Sequence, residues 1–213
     1  MAAFGVDEAG KGPVLGSMFA AAVRADPGAL PAGIDDSKRL APGRRADLAA
    51  RLRDDDRVAV GVAEIPVARI DEPETDMNTL TVGAQARALA AVAGDGLAGV
   101  VDAGDTDADR FARRVADRVD AAVEVRAEHG ADERHALVGA ASVVAKVERD
   151  AHVDALADAY GDVGSGYPSD PTTREFLRAY VDEHGDLPAC ARASWSTCAD
   201  VLAAAEQSRL GEF

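Results

Sequence analysis

The order of strand-like and helix-like segments constrains the fold of this chain more than any other feature of its sequence. Two apolar segments near the N-terminus, residues 2–7 and 17–23, flank a glycine-rich turn, and the alternating segment 57–65 adds a third strand. Two further strands, at 97–104 and 121–128, alternate with helices. Three early strands followed by this alternation predict an α/β fold, a mixed five-stranded sheet with helices on its faces.

The helical segments predict how the chain is organised around that sheet. A glycine- and proline-containing loop at 164–171 separates a long helix from the last two. We therefore expect a core over residues 1–160 and a C-terminal helical cap over 161–213. The predicted helices span residues 41–53, 78–93, 107–119, 136–160, 172–184 and 194–207.

The net charge of −15, from 23 basic and 38 acidic residues, argues against a nucleic-acid partner when it is taken alone, because phosphate binding favours a basic face. The acids are dispersed along the chain, however, and lysine is scarce. That composition is typical of proteins that work in high salt, where charge repulsion is screened within about 3 Å at 1 M. The net charge therefore does not exclude nucleic acid.

The sequence gives no sign of export or of a membrane span. No apolar segment reaches 18 uncharged residues, and no basic residue precedes the first apolar run. Cys190 and Cys198 lack the spacing of a metal knuckle, so we interpret them as small buried side chains, with a zinc site that includes His184 as the alternative. We expect a cytoplasmic, monomeric protein.

The few lysines mark three places of interest. Beside 20 arginines the chain has only Lys11, Lys38 and Lys146, and each lies among glycines or other small residues. Solvated surface positions are the simpler interpretation of all three.

The segment GVDEAGKG at residues 5–12 resembles a phosphate-binding loop, but its chemistry differs. Such a loop needs Ser or Thr after the lysine, and here Gly12 follows Lys11. Asp7 and Glu8 would also point two carboxylates at the phosphates, and without a metal ion these charges would repel each other. Acids at the end of a buried strand are better explained if they hold a metal ion that in turn binds phosphate.

Two more carboxylates are candidates for the same metal site. Asp102 ends the apolar strand GVVD, and Asp132 lies just before the long helix. Four carboxylates suit a two-metal site for phosphoryl transfer, although both aspartates could instead cap the helices that follow them. Adjacent strand residues point to opposite faces, so Asp7 and Glu8 share a site only if the strand ends or bends there.

Taken together, these motifs and several others resemble the archaeal type of the ribonuclease HII family. The resemblance rests on GVDEAGKGPVLGSM, DDSKRL, GVVDAG, HGADERHALVGAASVVAKVERD and GSGYPSDP, which occur in the family's order from residue 4 to about 197. It implies a ribonuclease H-like fold and hydrolysis of the RNA strand of RNA–DNA hybrids. It also implies cutting at ribonucleotides embedded in duplex DNA, with Mg²⁺ or Mn²⁺ in a two-metal site and with 3′-hydroxyl and 5′-phosphate products.

The resemblance also assigns roles to particular residues. Its catalytic, metal-binding carboxylates match Asp7, Glu8, Asp102 and Asp132. The backbone motif that reads the ribose 2′-hydroxyl matches Gly10, Lys11 and Gly12, with Lys11 where the family usually has Arg, so that a forked contact to phosphate would be lost. The tyrosine that stacks under the sugar matches Tyr167. Further contacts near the nucleic acid or the carboxylates match Ser37, Lys38 and Lys146.

Three other functions stay open at the level of sequence. A 3′ exonuclease also uses four acids and two metals, but it needs a free 3′ end and has no reader of the 2′-hydroxyl. A binding module predicts no metal-dependent cleavage, and a phosphate-loop hydrolase predicts turnover of ATP or GTP.

The C-terminal residues predict a partner. Gln207, Leu210 and Phe213 fall at i, i+3 and i+6, and a 3₁₀ turn would align them on one face. The pattern resembles the Q-x-x-L-x-x-F peptide by which repair enzymes dock on the sliding clamp, although the usual second aromatic is missing. We expect a clamp-binding tail at 207–213, with a frayed terminus as the alternative.

Overall fold

A computed structural model of the chain describes residues 1–34 and 40–210, and for 208–210 the backbone alone. Its centre is a five-stranded sheet with the order β3-β2-β1-β4-β5. β1 pairs antiparallel with β2 and parallel with β4, and β4 pairs parallel with β5, so the predicted mixed sheet is confirmed. The strands are β1 (Ala3–Ala9), β2 (Met18–Ala25), β3 (Ala59–Ile65), β4 (Ala98–Asp102) and β5 (Glu124–Glu128).

All six predicted helices are present, with ends that shift by up to three residues. A seventh, the single turn α2 between β3 and α3, was not predicted because four residues carry no helical period. Within the described residues the helices are α1 (Pro42–Asp54), α2 (Val67–Ile70), α3 (Met77–Ala90), α4 (Ala108–Ala116), α5 (Ala136–Tyr160), α6 (Pro171–His184) and α7 (Ser196–Leu210). None of the described helices is long and apolar enough to cross a membrane.

The chain forms two compact units, each with its own apolar core. The first unit comprises Met1–Ala9, Phe19–Glu64 and Asp76–Arg149, and the second comprises Gly10–Met18, Ile65–Thr75 and Asp150–Phe213. In the first unit, side chains from β2, α1 and the first half of α5 pack together. In the second, side chains from α6 and α7 pack with the segment that follows β1. The expected division at residue 160 stays a prediction.

Helix α5 lies directly against β1 in the first unit. A Cβ atom added at Gly5 would lie only 2.2 Å from the backbone carbon of Leu137 and 2.3 Å from the nitrogen of Val138. Only glycine permits this approach of two backbones. The contact fixes the start of α5 on the strand that carries the first two acids.

One local expectation was wrong. β1 continues in paired register through Asp7 and Glu8 to Ala9, so the strand does not end at the acids. Residues 207–210 continue α7, and the alignment of Gln207, Leu210 and Phe213 on one 3₁₀ face stays a prediction, because 211–213 lie outside the described residues. Ser37, Lys38 and Phe213 lie outside the described residues.

Both cysteines are buried thiols in the core of the second unit. Burial raises the pKa of each thiol to about 11, so both are neutral at physiological pH. The interpretation as small buried side chains is confirmed.

Candidate active site

The two adjacent acids of β1 are held by helices on opposite faces of the sheet. The hydroxyl of Ser142, on α5, donates a hydrogen bond to Asp7. The amide of Gln85, on α3, donates from Nε2 to Oε2 of Glu8 at 2.6 Å. The Asp7 carboxylate also turns towards the next residue, and its Oδ1 accepts from the backbone N–H of Glu8 at 2.7 Å. This turn brings the charges of Asp7 and Glu8 together although their side chains leave the strand on opposite sides.

Asp102 ends the neighbouring parallel strand. Val6 pairs with Val101 in the parallel register. The next residues, Asp7 and Asp102, are therefore neighbours on adjacent strands, towards the carboxyl ends of β1 and β4. The Asp102 side chain does not cap α4, whose first turn is capped by Asp107. Its Oδ1 accepts from the N–H of Ala131 at 2.6 Å. The capping alternative for Asp102 is therefore wrong.

Asp132 follows directly after that contact. It lies in a short 3₁₀ turn, Ala131–Glu133, which begins after Gly130 in the left-handed conformation at φ 62°. Its side chain is buried. The N–H of Ala131 is bonded to the Asp102 carboxylate, and Asp132 is the residue that follows Ala131.

The charges at this edge of the sheet disfavour one another. Burial raises the pKa of Asp7 well above its ordinary value of 3.8, and the nearby charges of Glu8 and then Asp102 raise it further. The hydrogen bond from Ser142 acts in the opposite direction. A positive charge nearby, such as a bound cation, would favour the ionised form of Asp7.

Lys146 is connected to these carboxylates through a serine. Its Nζ lies 2.8 Å from Oγ of Ser142, one turn earlier on α5, and the Ser142 hydroxyl bonds to Asp7. Ser142 is buried while Lys146 is partly exposed. A positive charge therefore faces the acidic cluster through one intervening hydroxyl.

The donor set suits a hard divalent ion. Carboxylate oxygens are the ligands that Mg²⁺ and Mn²⁺ prefer, and all four ligands predicted from the sequence are carboxylates. Within residues 1–34 and 40–207, no three His, Cys, Asp or Glu side chains are placed so that together they could hold one metal ion. The fit therefore rests on the chemistry of the donors and on the crowding of negative charge.

The predicted 2′-hydroxyl reader, residues 10–12, and Tyr167 lie together in the second unit. Gly10 has φ of 89°, a left-handed conformation that suits glycine. A Cβ added at Gly12 would lie 3.7 Å from Cε1 of Tyr167, so the Tyr167 ring is next to this glycine. The ring is 40% exposed. The carbonyl of Gly166 accepts from the N–H groups of Val14 and Leu15 at 2.8 and 3.2 Å. These bonds tie the loop that carries Tyr167 to residues 10–16, the glycine segment.

Two functional candidates were missed from the sequence. Gln85 is fully buried on α3, and its Nε2 bonds both Glu8 and the carbonyl of Asp102, while its Oε1 has no hydrogen-bond partner in the structure. Arg192 is also fully buried and donates to backbone carbonyls of the glycine segment. A glutamine within the apolar face of a predicted helix was a usable signal for the first. The sequence around Arg192 carries no comparable signal.

Comparison with known proteins connects this geometry to a family. The ribonuclease HII family matches the chain over residues 4–198. A ribonuclease HII of Haloarcula marismortui is 72% identical and covers 99% of both chains. The crystal structure of the ribonuclease H2 from Pyrococcus horikoshii superposes with a TM-score of 0.89 at 36% identity, covering 97% of this chain and 100% of that one. A ribonuclease HII solved in complex with PCNA, from Archaeoglobus fulgidus, gives 0.82 at 35% identity, over 92% and 95% of the two chains.

Together, the sheet order and these structural matches define the fold as ribonuclease H-like and the protein as a phosphodiester hydrolase of that class. The chain belongs to the ribonuclease HII family. It is an endoribonuclease that hydrolyses the RNA strand of RNA–DNA hybrids, and its family depends on divalent metal ions.

Proposed function

We propose that the enzyme also cuts duplex DNA at single embedded ribonucleotides, by two-metal catalysis, and leaves 3′-hydroxyl and 5′-phosphate ends. One observation carries this proposal. Asp7 and Asp102 lie at the carboxyl ends of two adjacent parallel strands, the charges of Glu8 and Asp102 act on Asp7, and Asp132 follows Ala131, whose N–H bonds Asp102. A cluster of this kind suits phosphoryl transfer, since its charge must be balanced by cations before a phosphate can approach.

The residues of the chain have separate roles in this proposal. Asp7, Glu8, Asp102 and Asp132 would hold Mg²⁺ or Mn²⁺, and Gln85 orients Glu8 through its amide. Lys146 offsets negative charge through Ser142 and Asp7. When bound, a metal pair supplies an activated water and stabilises the leaving oxygen. The buried position of Asp7 keeps bulk water from competing for its oxygens.

Selection of the ribonucleotide is assigned to the second unit. Telling RNA from DNA at one position requires sensing of the 2′-hydroxyl, which both donates and accepts hydrogen bonds. Gly10, Lys11 and Gly12 offer main-chain groups without a Cβ at the two glycines, and Tyr167 offers an exposed ring beside Gly12. Lys11 supplies a point charge for a phosphate in place of a guanidinium fork. Ser37 and Lys38 stay proposed contacts to the nucleic-acid backbone.

The deciding experiment uses a closed duplex with one internal ribonucleotide and no free 3′ end at the site. We expect cleavage at that position with Mg²⁺ or Mn²⁺ across a salt series, with no cleavage of the all-DNA duplex. A 3′ exonuclease would leave the closed substrate intact. Turnover of ATP or GTP without cleavage would favour a nucleotide hydrolase, and binding without cleavage at any metal concentration would leave only a binding module.

A sliding clamp is proposed as a partner. The relative from Archaeoglobus fulgidus was solved in a PCNA complex at 35% identity, and this chain ends in the pattern Gln207, Leu210, Phe213. Gln207 is exposed on the last turns of α7. A tethered enzyme works at a raised local concentration of its DNA substrate.

The clamp proposal is tested by titrating a peptide of residues 203–213 against the clamp of the same organism. We expect saturable binding that is lost in the Phe213→Ala peptide. A Glu206→Gln peptide serves as a control, because Glu206 lies outside the three-residue pattern. Equal binding of the Phe213→Ala peptide, or no binding of the parent at high micromolar peptide, would leave a frayed terminus.

A further inference from the structure

The largest fully buried side chain of the described residues is a cation, Arg192 in the second unit. Removing a guanidinium from water is costly unless its N–H groups are hydrogen-bonded inside the protein. Three of these hydrogen bonds go to main-chain carbonyls that lie about 180 residues earlier in the chain. A position that demands such compensation indicates that the contacted backbone must be held in one conformation.

The contacted backbone is the predicted 2′-hydroxyl reader. Nη2 of Arg192 donates to the carbonyl of Gly10 at 2.6 Å, and Nη1 donates to that of Lys11 at 3.1 Å. Nε donates to the carbonyl of Gly16 at 2.8 Å, where the glycine segment rejoins the fold. The planar fork of arginine can reach separate acceptors at fixed angles, which a lysine ammonium on its flexible stem cannot reproduce.

Trp195 completes the arrangement. Its Nε1 lies 3.4 Å from the carbonyl of Gly12, and its ring lies over the Arg192 guanidinium, 4.9 Å from centroid to central carbon. All three carbonyls of Gly10, Lys11 and Gly12 therefore accept bonds from this pair of side chains. With its carbonyl oxygens bonded inside the unit, the tripeptide backbone is held in one conformation.

We propose that Arg192, supported by Trp195, is a positioning residue that sets the discrimination between ribose and deoxyribose at the reading tripeptide. The inference rests on the proposed function, since it assigns the reader to Gly10–Gly12. Glycines in this segment, including Gly10 at φ 89°, have no side chain to restrict them. Without the buried fork they would populate other conformations, and the geometry that distinguishes a 2′-hydroxyl from a hydrogen would be lost.

The test measures binding without turnover. In an Asp102→Asn background, dissociation constants are determined for two duplexes that are identical except for one ribonucleotide. The ratio of the two constants reports the discrimination. The parent must first prefer the ribonucleotide duplex, and failure at that step contradicts the proposed function itself.

Arg192→Lys keeps the charge but loses the fork. We expect the ratio of the two dissociation constants to fall by about 10-fold, which corresponds to the loss of roughly one hydrogen bond. The affinity for the all-DNA duplex should stay within about twofold of the parent's. Arg178→Lys, at an exposed position of α6 in the same unit, is the matched control and should leave the ratio unchanged. A ratio that is unchanged in a folded Arg192→Lys protein, judged by circular dichroism in molar salt, would overturn the proposal.

Trp195→Phe keeps an aromatic ring over the guanidinium and removes the donor to Gly12. It tests the same inference if Arg192→Lys does not fold. We expect a smaller fall of the ratio, about 2- to 3-fold, because the lost bond is long. A folded Trp195→Phe protein with the parent's ratio would contradict the assignment.

Discussion

At the scale of single residues, the acids of β1 and β4 are placed by hydrogen bonds that only the folded chain provides. Glu8 is bonded by Gln85, Asp7 by Ser142 and by its own neighbour's N–H, and Asp102 by Ala131. The bonds from Gln85, Ser142 and Ala131 come from three different elements, while the N–H of Glu8 belongs to β1 itself. The acids are evident from the sequence, as polar residues that follow apolar runs, but most of their partners are not.

Asp102→Asn should keep the fold and lose most cleavage. Asparagine retains an oxygen for the N–H of Ala131, so the bond at 2.6 Å can persist. The neutral amide removes a charge that would hold a metal ion, and we expect hybrid cleavage to fall by at least about 100-fold. Single-turnover cleavage at millimolar Mg²⁺ measures this, with the thermal melt as the control for folding. A rate near that of the parent would remove Asp102 from the site.

Tyr167 gives a second prediction at this scale. Tyr167→Phe keeps the exposed ring beside Gly12 and should cost little. Tyr167→Ala removes the ring and should weaken binding of the single-ribonucleotide duplex by about 1–3 kcal/mol, the range for stacking contacts in single-strand binders. Since the ring is 40% exposed, the fold should tolerate both changes. If the alanine variant cuts that duplex as well as the parent does, the proposed stacking of Tyr167 under the sugar is wrong.

At the scale of elements, the sequence predicted every strand of the sheet and six of the seven described helices. The reason is that the strands of the core are short apolar runs and the helices carry clear periods. It could not predict that β1 continues through its acids, because antiparallel pairing of Glu8 with Ala20 and of Ala9 with Phe19 extends the strand. Nor could it predict Arg192, since an arginine in a polar loop is normally solvated, and its burial depends on carbonyls far away in sequence.

The contact of α5 with β1 predicts a sharp contrast between two glycines. Gly5→Ala places a Cβ about 2.2 Å from the backbone of Leu137, so it should prevent α5 from docking and abolish cooperative folding. Gly83→Ala on α3 meets nothing within 4 Å and should stabilise the protein by about 0.5–1 kcal/mol. Urea unfolding of both variants measures the difference. A Gly5→Ala protein of normal stability would contradict the packing of this helix.

The start of α6 predicts a pH dependence. Asp170 accepts from the N–H groups of Ser165 and Thr172 at 2.6 and 3.0 Å. The side-chain hydrogen bond from Ser165 lowers the pKa of Asp170 most, and these N–H bonds lower it further below its ordinary value of 3.8. A lowered folded-state pKa stabilises the protein above 3.8, and this stabilisation is lost as the pH falls through the folded-state value. Asp170→Asn still caps the helix but cannot titrate.

We therefore expect the gap in unfolding midpoint between the parent and Asp170→Asn to narrow as the pH is lowered below 3.8. Urea unfolding in molar salt at several pH values measures the gap. A gap that stays constant from neutral pH into this range would show that the charge of Asp170 contributes nothing.

At the scale of the whole molecule, the acidic composition and the activity make opposite demands on salt. The net charge is −15, and close relatives come from halophilic archaea. Binding of a polyanion weakens as salt rises, because the release of condensed counterions gains less free energy in concentrated salt. Stability should follow the other direction, since mutual repulsion of dispersed acids opposes the compact state until salt screens it.

The last prediction follows from this opposition. The melting temperature of the protein should rise from low salt to about 1 M KCl, where charges are screened within about 3 Å. Asp54→Asn with Asp56→Asn is the matched variant, because both side chains are exposed where α1 ends, and two of the 15 excess negative charges disappear. This variant should melt higher than the parent at low salt and approach it at high salt. A melting temperature that is flat or falling with KCl, or a variant with the parent's melts throughout, would show that self-repulsion does not limit stability.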